Sequence, residues 1–129
     1  MVRERTLKVA LVVVGIVFQA TIYPLLQMQL AEDLQMMLSV YVTLGVFLLL
    51  ASRNPSEHRS LIGFAGWSSL VHAGVMAVQS RHDAGERMHL LIGTAIFAII
   101  GAALVGLLPR RPGSVTAMEA KPNFQARRA

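Results

Sequence analysis

Four long apolar stretches fill most of this chain of 129 residues, and none of them contains Asp, Glu or Arg. The only Lys within them is Lys8, close to the start of the first stretch. A helix needs roughly 20 apolar residues to cross the hydrocarbon core of a bilayer, and the stretches have about that length or are slightly shorter. The pattern predicts four membrane-spanning helices, at residues 7–26, 34–51, 60–78 and 88–108.

The composition supports lipid as the surroundings of these helices. Hydrophobic residues make up 54% of the chain and charged residues only 15%. The apolar residues form near-continuous runs, and a helix that is apolar all round is either buried in a large protein or exposed to lipid. A chain with four such helices has no soluble layer left to cover them. The first run is longer than the apolar region of a signal peptide, and no small-x-small site follows, so we expect it to be retained.

The positive charges lie on alternate connections. The N-terminal segment, the second connection and the C-terminal tail carry ten of the 12 Lys and Arg residues, whereas the first and third connections carry two. Such an excess marks the cytoplasmic side of a membrane. The sequence therefore predicts an all-α, four-helix up-down-up-down bundle with both termini cytoplasmic. The net charge of +5 does not form a basic face with interleaved aromatic residues, so we expect no nucleic-acid partner.

Two parts of different character follow from this pattern. Residues 1–108 are predicted to form a four-transmembrane-helix domain. Pro109 and Pro112 then end the last helix. Residues 109–129 are polar, basic and without periodicity, so they are predicted to be a disordered cytoplasmic tail. Pro24 lies near the outer end of the first helix, where a kink is tolerated.

Small residues recur at a spacing of four on the third and fourth helices. Helices in lipid associate largely through close packing of small residues, because lipid provides little hydrophobic drive. We therefore predict that these two helices pack against each other. The alternative is that one strip faces another copy of the protein or a partner subunit. The strips are Ala65, Ser69, Ala73 and Ala77 on the third helix, and Thr94, Ala98, Ala102 and Gly106 on the fourth.

Polar side chains at membrane depth form a second pattern. Gln19, Tyr41, His72 and Thr94 each lie roughly 10 Å below the outer interface, as judged from the helical rise. With Ser69, they could form a small polar site for a substrate headgroup, a proton or a cofactor edge, centred on His72 because His titrates near neutral pH. The competing interpretation, which the sequence favours, is a packing clamp. In the clamp, His72 donates to a backbone carbonyl or Ser69 and accepts from Tyr41 or Gln19.

The sequence offers little for catalysis or cofactor binding. The chain has no cysteine, and no second His matches the depth of His72, so we predict neither haem nor another cofactor. The helices contain no carboxylate, which argues against a proton-coupled exporter like the small multidrug transporters. We predict no catalytic residue and no metal site, and an enzyme is not expected. Four residues at the predicted outer surface could bind a divalent cation weakly, but a solvated loop explains them better: His82, Asp83, Glu86 and His89.

Three segments resemble a known family. Residues 41–55 read YVTLGVFLLLASRNP, residues 58–62 read HRSLI, and residues 67–79 read WSSLVHAGVMAVQ. They resemble a family of small bacterial integral membrane proteins of unknown function. The resemblance extends from the first helix to the start of the fourth, without the basic tail. It implies a four-helix protein of the bacterial inner membrane, and it implies no activity.

These features lead to two functional hypotheses. The first is a non-enzymatic accessory or self-associating subunit, because small-residue strips are present and reactive groups are absent. Its partners would be the lipid bilayer together with a second copy or another membrane protein. The alternative is a carrier or binder of a small or lipid-like molecule at the polar layer around His72.

Overall fold

The computed structural model describes residues 2–27 and 30–110, and all regular structure in these residues is helical. Helices α1 and α2 follow each other almost without interruption and together form one span. The described residues thus contain four helices long and apolar enough to cross a membrane, as predicted. The predicted tail lies outside the described residues from residue 111 onwards. The helices are α1 (Val2–Ala20), α2 (Ile22–Leu26), α3 (Glu32–Ala51), α4 (Arg59–His82) and α5 (Arg87–Leu107).

The break between α1 and α2 has a local cause. Pro24 has no N–H to donate to the carbonyl of Ala20, and its ring crowds that carbonyl. The Thr21 hydroxyl donates to the Phe18 carbonyl oxygen at 2.6 Å, and the Thr21 amide donates to the same oxygen at 3.2 Å. The helix therefore tightens for one turn and then continues.

The first three spans are longer than the apolar stretches that predicted them, and α5 has the predicted length, shifted by one residue. Helix α4 continues through Arg81 to His82, and α3 begins at Glu32. Acidic residues in the first turn and basic residues in the last turn interact favourably with the helix dipole. These polar ends favour helix formation, but they are not part of an apolar stretch. The apolar stretches therefore predict α3 and α4 to be shorter than they are.

The helices are arranged as two pairs. The most extensive contact joins α4 to α5, and the next joins α1 to α3. The pairs meet through smaller contacts of α1 with α5 and of α3 with α4. Helix α1 presents one stripe to the interior, and the other helices add fewer residues. The buried core consists of Leu7, Leu11, Val14, Phe18, Leu48, Ile62, Ala65, Ile100 and Leu104.

Each pair is closest where two glycines face each other. A Cβ atom added to Gly45 would lie 3.0 Å from the carbonyl oxygen of Gly15, and one added to Gly101 would lie 2.8 Å from that of Gly66. A real Cβ atom does not fit at such distances. The absence of side chains therefore lets the two backbones of each pair approach directly.

The predicted small-residue strips are placed unequally. On α4, Ala65, Ser69 and Ala73 are buried and Ala77 is half-buried. On α5, Thr94 and Ala98 are half-buried, whereas Ala102 and Gly106 are exposed. Near Ala102 and Gly106, the residues of α5 that contact Gly66 of α4 are Leu104 and Val105. The face of α5 against α4 is thus rotated from the predicted strip, because branched side chains of α5 pack onto the glycine of α4.

Candidate functional site

Four rings meet between the two helix pairs, one from each of α1, α3, α4 and α5. We call this group the aromatic layer: Phe18, Tyr41, His72 and Phe97. The ring centres of His72 and Phe97 are 4.5 Å apart, and Tyr41 lies 5.0 Å from Phe18, 5.2 Å from Phe97 and 5.6 Å from His72. All these separations lie in the range of favourable aromatic contacts. The layer therefore joins the two pairs through side chains.

Tyr41 has edge-to-face geometry with two of its three ring neighbours in the layer. The Tyr41 ring makes angles of 64° with Phe18 and 69° with His72. Such arrangements place the positive edge of one ring against the negative face of another. Phe18 is buried, whereas Tyr41, His72 and Phe97 are half-buried. The layer thus has an apolar inner side on α1 and a more accessible side at α3 and α4.

Two polar side chains at the same level bond to backbone. Gln19 donates from Nε2 to the carbonyl oxygen of Val42 at 2.7 Å, which joins α1 to α3 beside Tyr41. The Thr94 hydroxyl donates to the Leu90 carbonyl at 2.8 Å and lies 3.5 Å from the Ala73 carbonyl, beside His72. The structure therefore places Gln19, Tyr41, His72 and Thr94 at one level. Gln19 and Thr94 have their own partners there.

Ser69 has a local partner as well. Its buried hydroxyl donates to the carbonyl oxygen of Ala65 on its own helix at 2.7 Å. A serine that bonds back within its helix hides its polar group without joining a second helix. Ser69 thus lies one turn from His72 without bonding to it.

Tyr41 and His72 differ from these neighbours. Among the described residues, neither side chain makes a hydrogen bond, and the two rings contact each other as aromatic groups. Every fully buried side-chain nitrogen or oxygen in the described ranges does have a partner. The Tyr41 hydroxyl and the His72 ring nitrogens must therefore reach the molecular surface. The hydrogen-bonded clamp favoured at the sequence level is not the arrangement that the structure contains.

An open groove runs along the same two helices. It has a volume of about 300 Å³ and is mainly apolar, because the hydroxyls of Ser39 and Thr43 donate to carbonyls of their own helix. The groove exists because α3 and α4 touch only over a small area. Leu44, one turn from Tyr41, belongs to its wall. The lining residues are Ser39, Val40, Thr43, Leu44, Phe47 and Phe64.

The connection between α4 and α5 uses its polar groups for structural hydrogen bonds. Asp83 accepts hydrogen bonds at Oδ1 from the amides of Gly85 and Glu86, at 3.0 and 3.1 Å, just before α5 begins. Arg87 donates from Nε to the Ser80 carbonyl at 3.1 Å and ties α5 to the end of α4. Within residues 2–27 and 30–110, no three His, Asp or Glu side chains are grouped to hold a metal ion.

Sequence reasoning missed two members of the layer, Phe18 and Phe97. Phe18 precedes Gln19, and Phe97 follows Thr94 by one helical turn. Both therefore stand at the depth already assigned to the polar residues. The sequence does contain a signal for them, because an aromatic residue stands at that depth on α1 and on α5, the two helices that carry neither Tyr41 nor His72.

The regular structure of the described residues is all helical, and its four helices of membrane-spanning length indicate a membrane protein. The chain belongs to the family of unknown function DUF6632, whose model matches residues 3–125. The match includes most of the basic tail, which the resemblance seen in the sequence left out. Comparison with curated proteins and with solved structures gives no match. No molecular function comes with the family.

Proposed function

We propose that this chain is an integral protein of a bacterial inner membrane that binds the polar end of a small or lipid-like molecule at the aromatic layer. The four spans form an up-down-up-down bundle with both termini in the cytoplasm. Binding involves no covalent chemistry. The observation that carries the proposal is the pair Tyr41 and His72, whose polar atoms reach the molecular surface on α3 and α4, the two helices that also line an apolar groove.

The topology is supported by charge and by the order of contacts. The segments placed in the cytoplasm hold ten of the 12 Lys and Arg residues. Within each pair, residues later in one helix contact residues earlier in the other helix. Gly15 meets Gly45 while Gln19 meets Val42. Gly66 likewise meets Gly101 while Ala73 meets Thr94. Antiparallel neighbours of this kind follow from short connections.

The topology can be tested with single cysteines, because the natural chain has none. Glu57→Cys and Ala84→Cys place one thiol on an exposed position of the second and third connections. A membrane-impermeant maleimide should label Ala84→Cys on cells with a permeabilised outer membrane, and Glu57→Cys only after the inner membrane is opened. The reverse pattern would contradict the orientation.

Binding at the layer is supported by the cost of exposing polar atoms to hydrocarbon. A hydroxyl or ring nitrogen in lipid without a hydrogen bond loses several kcal/mol relative to water, by order of magnitude. A ligand with a carbonyl, hydroxyl or carboxyl group would satisfy Tyr41 and His72 together. Its apolar part would lie in the groove between α3 and α4. Polar groups at membrane depth are expected to have a functional role for this reason.

A photoreactive fatty acid with a diazirine in its chain tests this binding. The full chain in native membranes is labelled, and the labelled peptides are identified by mass spectrometry. We expect labelling of α3 and α4 in the natural protein and a strong reduction in the variant Tyr41→Phe/His72→Phe. Phenylalanine retains a ring at both positions, so the packing of the layer is preserved.

A control for this experiment removes hydroxyls that already have partners. Ser69→Ala deletes a group bonded within its own helix and should leave labelling unchanged. Equal labelling of the natural protein and the Tyr41→Phe/His72→Phe variant would show that the layer does not select the polar end of the probe.

A second candidate function is an accessory or self-associating membrane subunit. It is favoured by exposed small residues that have no neighbour: a Cβ atom added to Gly74 or Gly106 meets nothing within 4 Å. Such positions permit close approach of a helix from another copy or another membrane protein. Ala102→Cys, one turn from Gly106, should then form a disulfide-linked dimer in membranes, whereas Ile92→Cys should not. Monomers alone, without a co-purifying protein, would dismiss this candidate.

A further inference from the structure

A second cavity lies near the start of α1, far along the bundle from the aromatic layer. It has a volume of about 350 Å³. Leu7 and Pro55 at its base are buried, whereas the charged and hydroxyl side chains around it are exposed. It thus combines an apolar floor with a polar rim. The lining residues are Arg3, Glu4, Leu7, Pro55, Ser56, Leu107, Pro109 and Arg110.

The charge of the rim is positive. Glu4 contributes the only carboxylate among the lining residues, and it forms an ion pair with Lys8 at 2.9 Å. Lys8 therefore offsets the charge of Glu4 from outside the cavity. Arg3 and Arg110 remain as two cations at the rim. An anion that entered the cavity would lie close to both arginines. No unpaired carboxylate among the described lining residues would repel it.

Arg3 is held in place by the end of α5. One of its terminal nitrogens donates to the carbonyls of Gly106 at 3.0 Å and of Leu108 at 3.1 Å. A guanidinium has five N–H groups, so donors remain on its other two nitrogens, for which the described residues provide no partner. The terminal carbonyls of a helix carry a partial negative charge. Arg59 offsets part of it by donating from Nε to the carbonyl of Pro109.

We propose that this cavity binds the phosphate of an anionic membrane lipid. Arginine suits phosphate because its planar fork donates two parallel hydrogen bonds to phosphate oxygens. The Ser56 hydroxyl adds a donor, and the apolar floor accommodates the glycerol and the start of the acyl chains. Basic pockets at the cytoplasmic ends of membrane helices bind anionic headgroups in this way. The inference uses the membrane location of the proposed function and is independent of ligand binding at the aromatic layer.

The experiment titrates delipidated full chain in detergent with phosphatidylglycerol and counts bound lipids by native mass spectrometry. Each basic residue near an anionic lipid contributes ~1 kcal/mol, which corresponds to about a fivefold change in affinity. We expect Arg3→Gln and Arg110→Gln each to weaken binding about fivefold. Arg53→Gln removes the same charge at an exposed position of the nearby connection and should change nothing.

Further arms identify the source of the phosphate and guard against misfolding. Zwitterionic phosphatidylcholine should bind more weakly than phosphatidylglycerol, and inorganic phosphate should not displace the lipid. Displacement by inorganic phosphate would overturn the lipid assignment in favour of a soluble phosphate compound. Arg110→Gln guards against loss of folding, because the Arg110 side chain has no hydrogen bond within the described residues. Natural affinity in both Arg3→Gln and Arg110→Gln would overturn the site.

Tyr41→Phe/His72→Phe separates the two proposals. This variant should bind phosphatidylglycerol as the natural protein does while losing labelling by the photoreactive fatty acid. Loss of phosphatidylglycerol binding in this variant would overturn the independence of the two sites.

Discussion

The contacts within each helix pair differ in kind from the contacts between the pairs. Within a pair, two glycines bring backbone against backbone, as at Gly15 with Gly45 and at Gly66 with Gly101. Between the pairs, side chains meet: Phe18 and Tyr41 of one pair contact Phe97 of the other, and Arg3 of α1 reaches the end of α5. Side chains can change rotamer, whereas a helix backbone cannot yield locally. The pairs are therefore the rigid units, and the region between them is adjustable.

Cavities occur between the pairs and also within each pair, at a distance from its glycine contact. The aromatic layer, the groove along α3 and α4, and the arginine-rimmed cavity all involve residues from both pairs. Close glycine contacts leave no space for a ligand, whereas side-chain contacts of uneven size do. If this comparison is correct, changes at the glycine contacts within a pair should cost more stability than changes to side-chain contacts. Four substitutions test it, in order of decreasing effect.

Gly101→Val should be the most destabilising. Its Cβ atom would lie 2.8 Å from the carbonyl oxygen of Gly66 and 2.6 Å from the side chain of Leu70. Overpacking against a rigid neighbour lowers the free energy of unfolding by about 3 kcal/mol. Unfolding in detergent mixtures of increasing SDS content, followed by circular dichroism, measures it. Gly106→Val on the same helix meets nothing within 4 Å and is the control. Equal stability of the two variants would contradict the glycine contact.

Gly45→Ala should have an intermediate effect on the other pair. Its Cβ atom would lie 3.0 Å from the Gly15 carbonyl oxygen and 2.9 Å from Cβ of Phe18. We expect a loss of about 2 kcal/mol, because α3 has little contact with α4 and can move outward. The same SDS titration measures the loss, with exposed Val46→Ala as the matched change. A loss larger than that of Gly101→Val would reverse the order of the two pairs.

Phe97→Leu should cost less, because the contacts of Phe97 in the layer are between side chains: two cross to the other pair and one, with His72, lies within its own pair. Phe97 touches Phe18, Tyr41 and His72 within the layer. Leucine fills much of the volume, so the main loss is the aromatic interaction, about 1 kcal/mol. Phe64→Leu removes a ring that is 64% exposed and should be nearly neutral. The idea of an adjustable region fails if Phe97→Leu is as destabilising as Gly101→Val.

Gln19→Leu should have the smallest effect. It removes the hydrogen bond to the Val42 carbonyl between α1 and α3. Hydrogen bonds between membrane helices contribute about 0.6 kcal/mol on average. Ser69→Ala, which removes a bond within one helix, should change stability less still. A loss from Gln19→Leu above that from Gly45→Ala would mean that polar bonding, and not close approach, holds this pair together.

The sequence predicts the four spans because charged residues are excluded from them, a signal that needs no knowledge of packing. It also predicts that Gln19, Tyr41, His72 and Thr94 share one level, because the helical rise converts residue number into depth. It does not predict how each helix is rotated. Helices that are apolar all round lack the polar face that would indicate rotation.

The rotation of α5 shows this limit. Small residues occupy several of its faces, so spacing alone cannot distinguish Gly101, which is buried, from Ala102, which is exposed. The choice depends on Leu104 and Val105 meeting Gly66 on another helix. Phe18 and Phe97 were missed for the same reason, since only rotation decides which apolar ring faces inward. The bonds of Arg3 and Arg59 to the end of α5 likewise depend on the assembled bundle.

The bond from Arg3 to Gly106 has a consequence for the order of assembly. Donor and acceptor are 103 residues apart, so a residue near the start of α1 bonds to a carbonyl of α5. Bringing such distant segments together is entropically costly, and it follows the formation of local hairpins. The contact between Arg3 and the end of α5 can therefore form only after α5 has been inserted. A nascent chain that stops before Gly106 has neither acceptor for Arg3, so this link between α1 and α5 cannot form.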